Sequence, residues 1–160
     1  MNRIDGGITA PAGFYAAGAA AGIKKNGSPD MALIYSDTPC EAAGVFTSNL
    51  VKAAPVLWDR AVVESGVPVQ TVIINSGIAN ACTGKQGLTW CRETAEEAGR
   101  IFGVPSAGVL VASTGVIGAP LPMEALKGGL PLLKSAMADT REAAAATAAA
   151  IMTTDTHPKE

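Results

Sequence analysis

The run Val69-Gln70-Thr71-Val72-Ile73-Ile74 constrains this chain more than any other stretch, because it is apolar on both of its alternating faces. A strand of that kind is stable only where something covers both sides of its sheet. A second run, Ala107–Ala112 (AGVLVA), has the same character. Between them lies the clearest helical pattern, Gly87–Phe102. Leu88, Cys91, Ala95, Ala98 and Phe102 recur at spacings of three and four, while Arg92, Glu93, Glu96, Glu97 and Arg100 take the other face. Gly103 is placed to end that helix in the left-handed conformation, with Pro105 behind it.

The other elements are read the same way. Gly6–Gly27 is rich in glycine and poor in apolar periodicity, so it reads as loop and turn with one strand. Met31–Ser36 and Ala43–Thr47 are short β-like runs on either side of a turn signal, Asp37-Thr38-Pro39. Ala54–Glu64 reads as a helix with Pro55 in its first turn, where a missing N–H costs nothing. Leu121–Met137 carries a helical pattern that Gly128-Gly129 and Pro131 are expected to break, and Asp139–Met152 is almost pure helix former with Asp139 or Thr140 as cap. With no internal repeat and no linker, residues 1–160 make one mixed α/β unit.

Composition limits the function classes. The chain is 48% hydrophobic but only 16% charged, against roughly 25% in ordinary soluble domains. Part of its surface is therefore expected to be covered by another chain or by further sequence of its own. Aromatic residues are 4% and there is no basic block, which argues against nucleic acid. No apolar run reaches the roughly 20 residues of a membrane span, and the N-terminal stretch lacks the apolar core of a secretory signal. Cys40, Cys82 and Cys91 lack metal-ligand spacing and His157 is the only histidine, so the expectation is buried free thiols in a reducing cytosol and no metal.

Three loops could carry chemistry. Thr71–Gly87 (TVIINSGIANACTGKQG) has the outline of a phosphate-binding loop but fails its template. Cys82 or Ala79 stands where a glycine is needed, and Gln86 stands where a Ser or Thr would hold Mg²⁺. Asn75, Ser76, Asn80 and Thr83 are instead suited to locking turns by local hydrogen bonds, with Gly77 and Gly84 free to take positive φ. Ser113-Thr114-Gly115 ends a buried strand, where donors could face a ligand oxygen, although an ordinary turn explains the same spacing. Met152-Thr153-Thr154-Asp155-Thr156-His157 follows a helix that needs no such hydroxyl cluster, and no acid is tied to His157 to build a triad.

Five segments taken together, GGITAPAGFYAAGAAAGIKKNGSPDMALIYSD, AAGVFTSNLVKAAPV, VIINSGIANACTG, VLVASTGVIGAPLPM and AIMTTDTHPK, resemble the ornithine acetyltransferase (glutamate N-acetyltransferase) family of arginine biosynthesis. They occur in the family's order across essentially the whole chain. The resemblance implies the αββα sandwich of ornithine-acetyltransferase and DmpA-like enzymes, of which this chain would be the N-terminal portion. It also implies a precursor that cuts itself at an Ala-Thr bond into α and β chains. The freed threonine takes acetyl from N-acetylornithine, forms an acetyl-enzyme and passes it to glutamate, its own α-amino group serving as base.

Carried over by residue, the family's oxyanion-hole pair falls on Thr114 and Gly115, and its substrate-binding threonine on Thr153. Ile78 stands where the family usually has asparagine. The nucleophile would lie beyond Glu160, since Ala146-Thr147 sits in an alanine-rich helix without the family's flanking residues. The expectation is thus an α-chain portion truncated before the self-cleavage site, inactive alone and completed by a β chain or C-terminal segment in an α2β2 cytoplasmic assembly. No resident cofactor is implied, with acetyl-CoA a candidate second donor substrate. A non-catalytic binding or assembly module that retained the fold is the competing reading.

Overall fold

The computed structural model describes residues 6–158. Four strands, β1 (Phe14–Ala19), β2 (Met31–Cys40), β3 (Val69–Ile78) and β4 (Val109–Val116), form one sheet in that order. The first two pairings are antiparallel and β3–β4 is parallel. Four helices complete the unit: α1 (Ala54–Ser65), α2 (Gly84–Phe102), α3 (Met123–Ala136) and α4 (Arg141–Ala150). The mixed α/β class is as expected from sequence; of the αββα arrangement, the described residues hold one sheet with helices on both faces.

The main core lies on the face that carries Ala17, Met31, Leu33, Ile73 and Val111. Against it pack Cys91, Ala95, Ala98 and Phe102 of α2 and Leu126, Leu130 and Leu133 of α3. α4 covers the opposite face over β1 and β2, so close that a Cβ on Gly18 would collide with the Ala146 carbonyl. β3 is therefore fully buried on one face only. Val72 and Ile74, on the other, are half-buried, and Ile74 faces an open hollow whose far wall is α4.

Several expectations require correction. Asp37-Thr38-Pro39 does not turn the chain but lies inside β2, whose register with β3 shifts between Tyr35 and Cys40. Ser36 explains this: its hydroxyl donates to the Thr38 carbonyl at 2.8 Å, confining the turn chemistry to a local irregularity. Ala43–Thr47 forms no strand, and Val45 is fully exposed. Leu88, assigned to the apolar face of α2, is 39% exposed; Cys91, Ala95, Ala98 and Phe102 are buried as expected, joined by Gly87 and Thr94. The thiols are not uniformly buried: Cys91 is, Cys40 is half-buried and Cys82 is exposed.

α3 is also unbroken, with Pro131 inside it. Leu126, Leu130 and Leu133 are almost wholly buried, at roughly 1.5–3 kcal/mol each. Together they offset most or all of about 3 kcal/mol for an interior proline and about 1 kcal/mol for each glycine. Gly129 is there for space, since a Cβ would strike Met31 of β2. Other boundaries hold: Gly103 ends α2 at φ 75°, and Thr140 caps α4 by accepting the Ala143 N–H at 3.2 Å.

Candidate functional site

The ends of β3 and β4 run side by side, pairing Ser76 with Thr114, Gly77 with Gly115 and Ile78 with Val116. Gly77 has φ +103° and Gly115 φ +132°, conformations that a side chain disfavours. A Cβ on Gly115 would collide with the carbonyl of Gly77 and come within 2.7 Å of the Ile78 nitrogen. Two bare backbones thus meet where any larger residue would force the strands apart.

Over this junction lies an open depression of about 520 Å³ lined by Lys24, Gly77, Thr114, Gly115, Thr153 and Thr154, with Val116 at its edge. It brings Thr114 and Gly115 together with Thr153, from the far side of α3 and α4. Among its described lining residues Lys24 is the only charged one. Hydroxyls and a side-chain-free backbone suit an oxygen that develops negative charge.

A buried relay brings Thr153 there. The Asp30 carboxylate, fully buried, accepts the Ala21 N–H at 2.7 Å and the Lys24 N–H at 2.9 Å. Its backbone carbonyl accepts the Ser76 N–H at 2.8 Å. Ser76 Oγ then donates to the Ala150 carbonyl at 2.5 Å, and Lys24 Nζ to the Met152 carbonyl at 2.7 Å. The Ala150 carbonyl, at the C-terminus of α4, lacks a partner within the helix and the Met152 carbonyl lies just beyond it, so these two donors satisfy both and aim the threonines that follow. Ser76, read from sequence as a local turn-former, instead reaches across to α4.

The loop after β3 supports the junction from behind. Asn75 Nδ2 donates to the Ile78 carbonyl at 2.7 Å, and Ser113 Oγ donates to the same oxygen at 3.1 Å while accepting the Asn80 N–H at 2.8 Å. Ser113 is thereby a strut rather than a turn residue. Asn80, 2% exposed, donates to the Gly87 carbonyl at 2.9 Å and accepts the Thr83 hydroxyl at 2.7 Å. At Ile78 the backbone carbonyl does this bonding while the side chain packs against the core, so the loop's hydrogen bonds do not depend on an asparagine there. Behind it the packing leaves a cavity of only about 10 Å³. Burial, with the Asp59 charge adding to it, pushes the nearby Cys91 thiol up to about 12. Cys91 is therefore a packing residue and not a nucleophile.

Other candidates fall outside the depression. Lys85 lines a separate hollow with Cys82, Leu50 and Leu88. His157 is exposed and lines another with Ala148 and Ile151. Thr147 lies buried within α4, its hydroxyl donating to the Ala143 carbonyl at 2.9 Å, so Ala146-Thr147 is part of an intact helix. Sequence reasoning missed Lys24 and the longer reach of Ser76. No periodicity or spacing marks contacts whose partners stand more than seventy residues away.

The backbone matches two solved structures. The ornithine complex of the Mycobacterium tuberculosis enzyme superposes with a TM-score of 0.92 at 46% identity, covering 96% of this chain and 82% of that one. The arginine biosynthesis bifunctional protein ArgJ of Bacillus halodurans superposes with a TM-score of 0.89 at 39% identity, covering 95% of this chain and 78% of that one. The model of the ArgJ family matches residues 15–160. Among curated proteins, the bifunctional ArgJ of Symbiobacterium thermophilum is 51% identical over the whole of this chain and 40% of its own length. That of Gloeobacter violaceus is 49% identical over 95% of this chain and 37% of its own. The chain belongs to the ArgJ family, and it spans about 40% of the length of the curated relatives it matches.

Proposed function

We propose that this chain forms part of an acetyltransferase that moves acetyl from N-acetylornithine to glutamate in arginine biosynthesis. Thr114 and Gly115 hold the oxyanion of the tetrahedral intermediate, and Thr153 binds substrate. The observation that carries this reading is the convergence of Thr114, Gly115 and Thr153 on one depression at the β3–β4 junction. The names of the relatives and of the superposed structures support the reaction class.

The described residues assemble no nucleophile–base pair in the depression, which fits a nucleophile contributed by sequence outside these residues. We assign that role to a threonine freed by self-cleavage at an Ala-Thr bond, attacking with its own amine as base. On this reading the 160 residues alone are inactive and work as the α portion of an α2β2 cytoplasmic enzyme. Acetyl-CoA is a second donor substrate, and neither metal nor resident cofactor takes part. No helix among the described residues is long and apolar enough to cross a membrane.

The test is acetyl transfer by the complete protein. Removing one oxyanion donor costs about 2.7–4 kcal/mol of barrier, so Thr114→Ala should cut turnover roughly 10²- to 10³-fold. Turnover within about threefold of the parent would refute the oxyanion role, as that is under a quarter of the barrier such a donor supplies. A complete, folded protein that moves no acetyl at all would favour a non-catalytic module.

A further inference from the structure

Lys24 touches both walls of the depression. Its Cγ lies 3.1 Å from where a Cβ would stand on Gly77, so its stem packs over the glycine that abuts Gly115. Its ammonium donates to the Met152 carbonyl at 2.7 Å, immediately before Thr153, and to the Pro29 carbonyl at 2.8 Å. A third, longer contact of 3.5 Å reaches the Ala150 carbonyl, which Ser76 Oγ also holds. An ammonium has three N–H donors, and three backbone carbonyls lie within 3.5 Å of it, two of them at ordinary hydrogen-bond distance.

We infer that Lys24 is a positioning residue that fixes the Met152–Thr153 backbone at the rim of the depression, so that Thr153 is placed to bind substrate beside the Thr114–Gly115 donors. The inference rests on the acetyl-transfer reading above. Two features make positioning, rather than direct contact, the role. The donors are spent on the protein's own carbonyls, and one of these, from Pro29, stands outside the lining of the depression. The contact also suits its place, because carbonyls at the end of a helix carry partial negative charge and favour a cation.

The test compares Lys24→Met, Lys24→Arg and Thr153→Ala in the complete protein, measuring KM for N-acetylornithine and kcat at saturating glutamate. Lys24→Met keeps the stem over Gly77 but loses every donor, and should raise KM about tenfold while kcat stays within about threefold, the signature of lost substrate binding. Lys24→Arg, which keeps a charged donor for the Met152 carbonyl, should recover most of that loss. Unchanged KM in Lys24→Met, or a Lys24→Arg protein no better than it, overturns the assignment. If Thr153→Ala raises KM and Lys24→Met does not, only the role of Lys24 fails. If Thr153→Ala is also silent, the substrate role of Thr153 fails and the inference with it. Should Lys24→Met not fold, Lys24→Gln, which loses the charge and falls short of the Met152 carbonyl, takes its place: a raised KM with kcat kept supports the inference and an unchanged KM overturns it.

Discussion

The Asp59 carboxylate of α1 accepts the Val111 N–H of β4 at 2.9 Å. One residue earlier, Trp58 Nε1 donates to the Val109 carbonyl at 3.0 Å. β4 ends the sheet order β1-β2-β3-β4, so these are groups that a fifth strand would otherwise pair. Two adjacent helix side chains thus close the edge of the strand that carries Ser113, Thr114 and Gly115.

Burial pushes the Asp59 carboxyl up to about 6 from its ordinary 3.8, against the Val111 hydrogen bond, which pulls it down. A pKa raised in the folded state means that the folded protein holds this proton more tightly than the unfolded chain does. Its contribution to stability is therefore full below 3.8 and is lost as pH rises through about 6. Asp59→Asn keeps an acceptor for the Val111 N–H and removes this loss. Denaturant midpoints compared between about pH 4 and 7 should show the variant gaining on the parent as pH rises, and a pH-independent difference would contradict the shift.

Gly115→Ala should destabilise far more than Gly27→Ala. Both positions have positive φ, +132° and +73°, but space is open around Gly27 while a Cβ on Gly115 meets the Gly77 carbonyl. The Gly27 change should cost about 1–2 kcal/mol for the left-handed backbone alone. Urea titration of both variants decides the matter, and equal costs would mean that the β3–β4 approach is not a constraint.

Asn80→Ala removes the partner of the Thr83 hydroxyl and of the Gly87 carbonyl at a site 2% exposed. Buried groups left unpaired cost about 1–3 kcal/mol each, so a loss of about 2–3 kcal/mol is expected. Thr83→Ala, at a half-exposed position, should cost less. The order of the two denaturation midpoints checks the buttressing role of the loop.

The three thiols should label in order of exposure. Cys82 is exposed and should react with a thiol reagent in the folded protein, Cys40 more slowly, and Cys91 only after unfolding, since it is buried and pushed up to about 12. Peptide mapping after timed labelling reads this out. Modification of Cys91 in the native protein at a rate near that of Cys82 would contradict its packing.

Much of this molecule was legible in local order. Helix α2 follows from its three-and-four spacing and from Gly103, and α1 from Pro55 in its first turn, because these signals act within a few residues. Where the reading failed, a distant partner had overruled a local preference. Pro131 and two glycines should break α3, but leucines buried against β2 and α2 hold it together. The turn signal at Asp37-Thr38-Pro39 lost to the pairing of Cys40 with Val69, which keeps β2 extended.

The sequence by itself determined the mixed α/β class and the family, and singled out Thr114, Gly115 and Thr153 as candidates, because each of these signals is carried by short contiguous segments. Only the tertiary structure decided that these motifs share one depression. The joining contacts, Gly77 against Gly115, Ser76 to Ala150 and Lys24 to Met152, link residues far apart in the chain. Such contacts leave no periodicity, and they form only once the sheet has packed and α4 has come to rest against it.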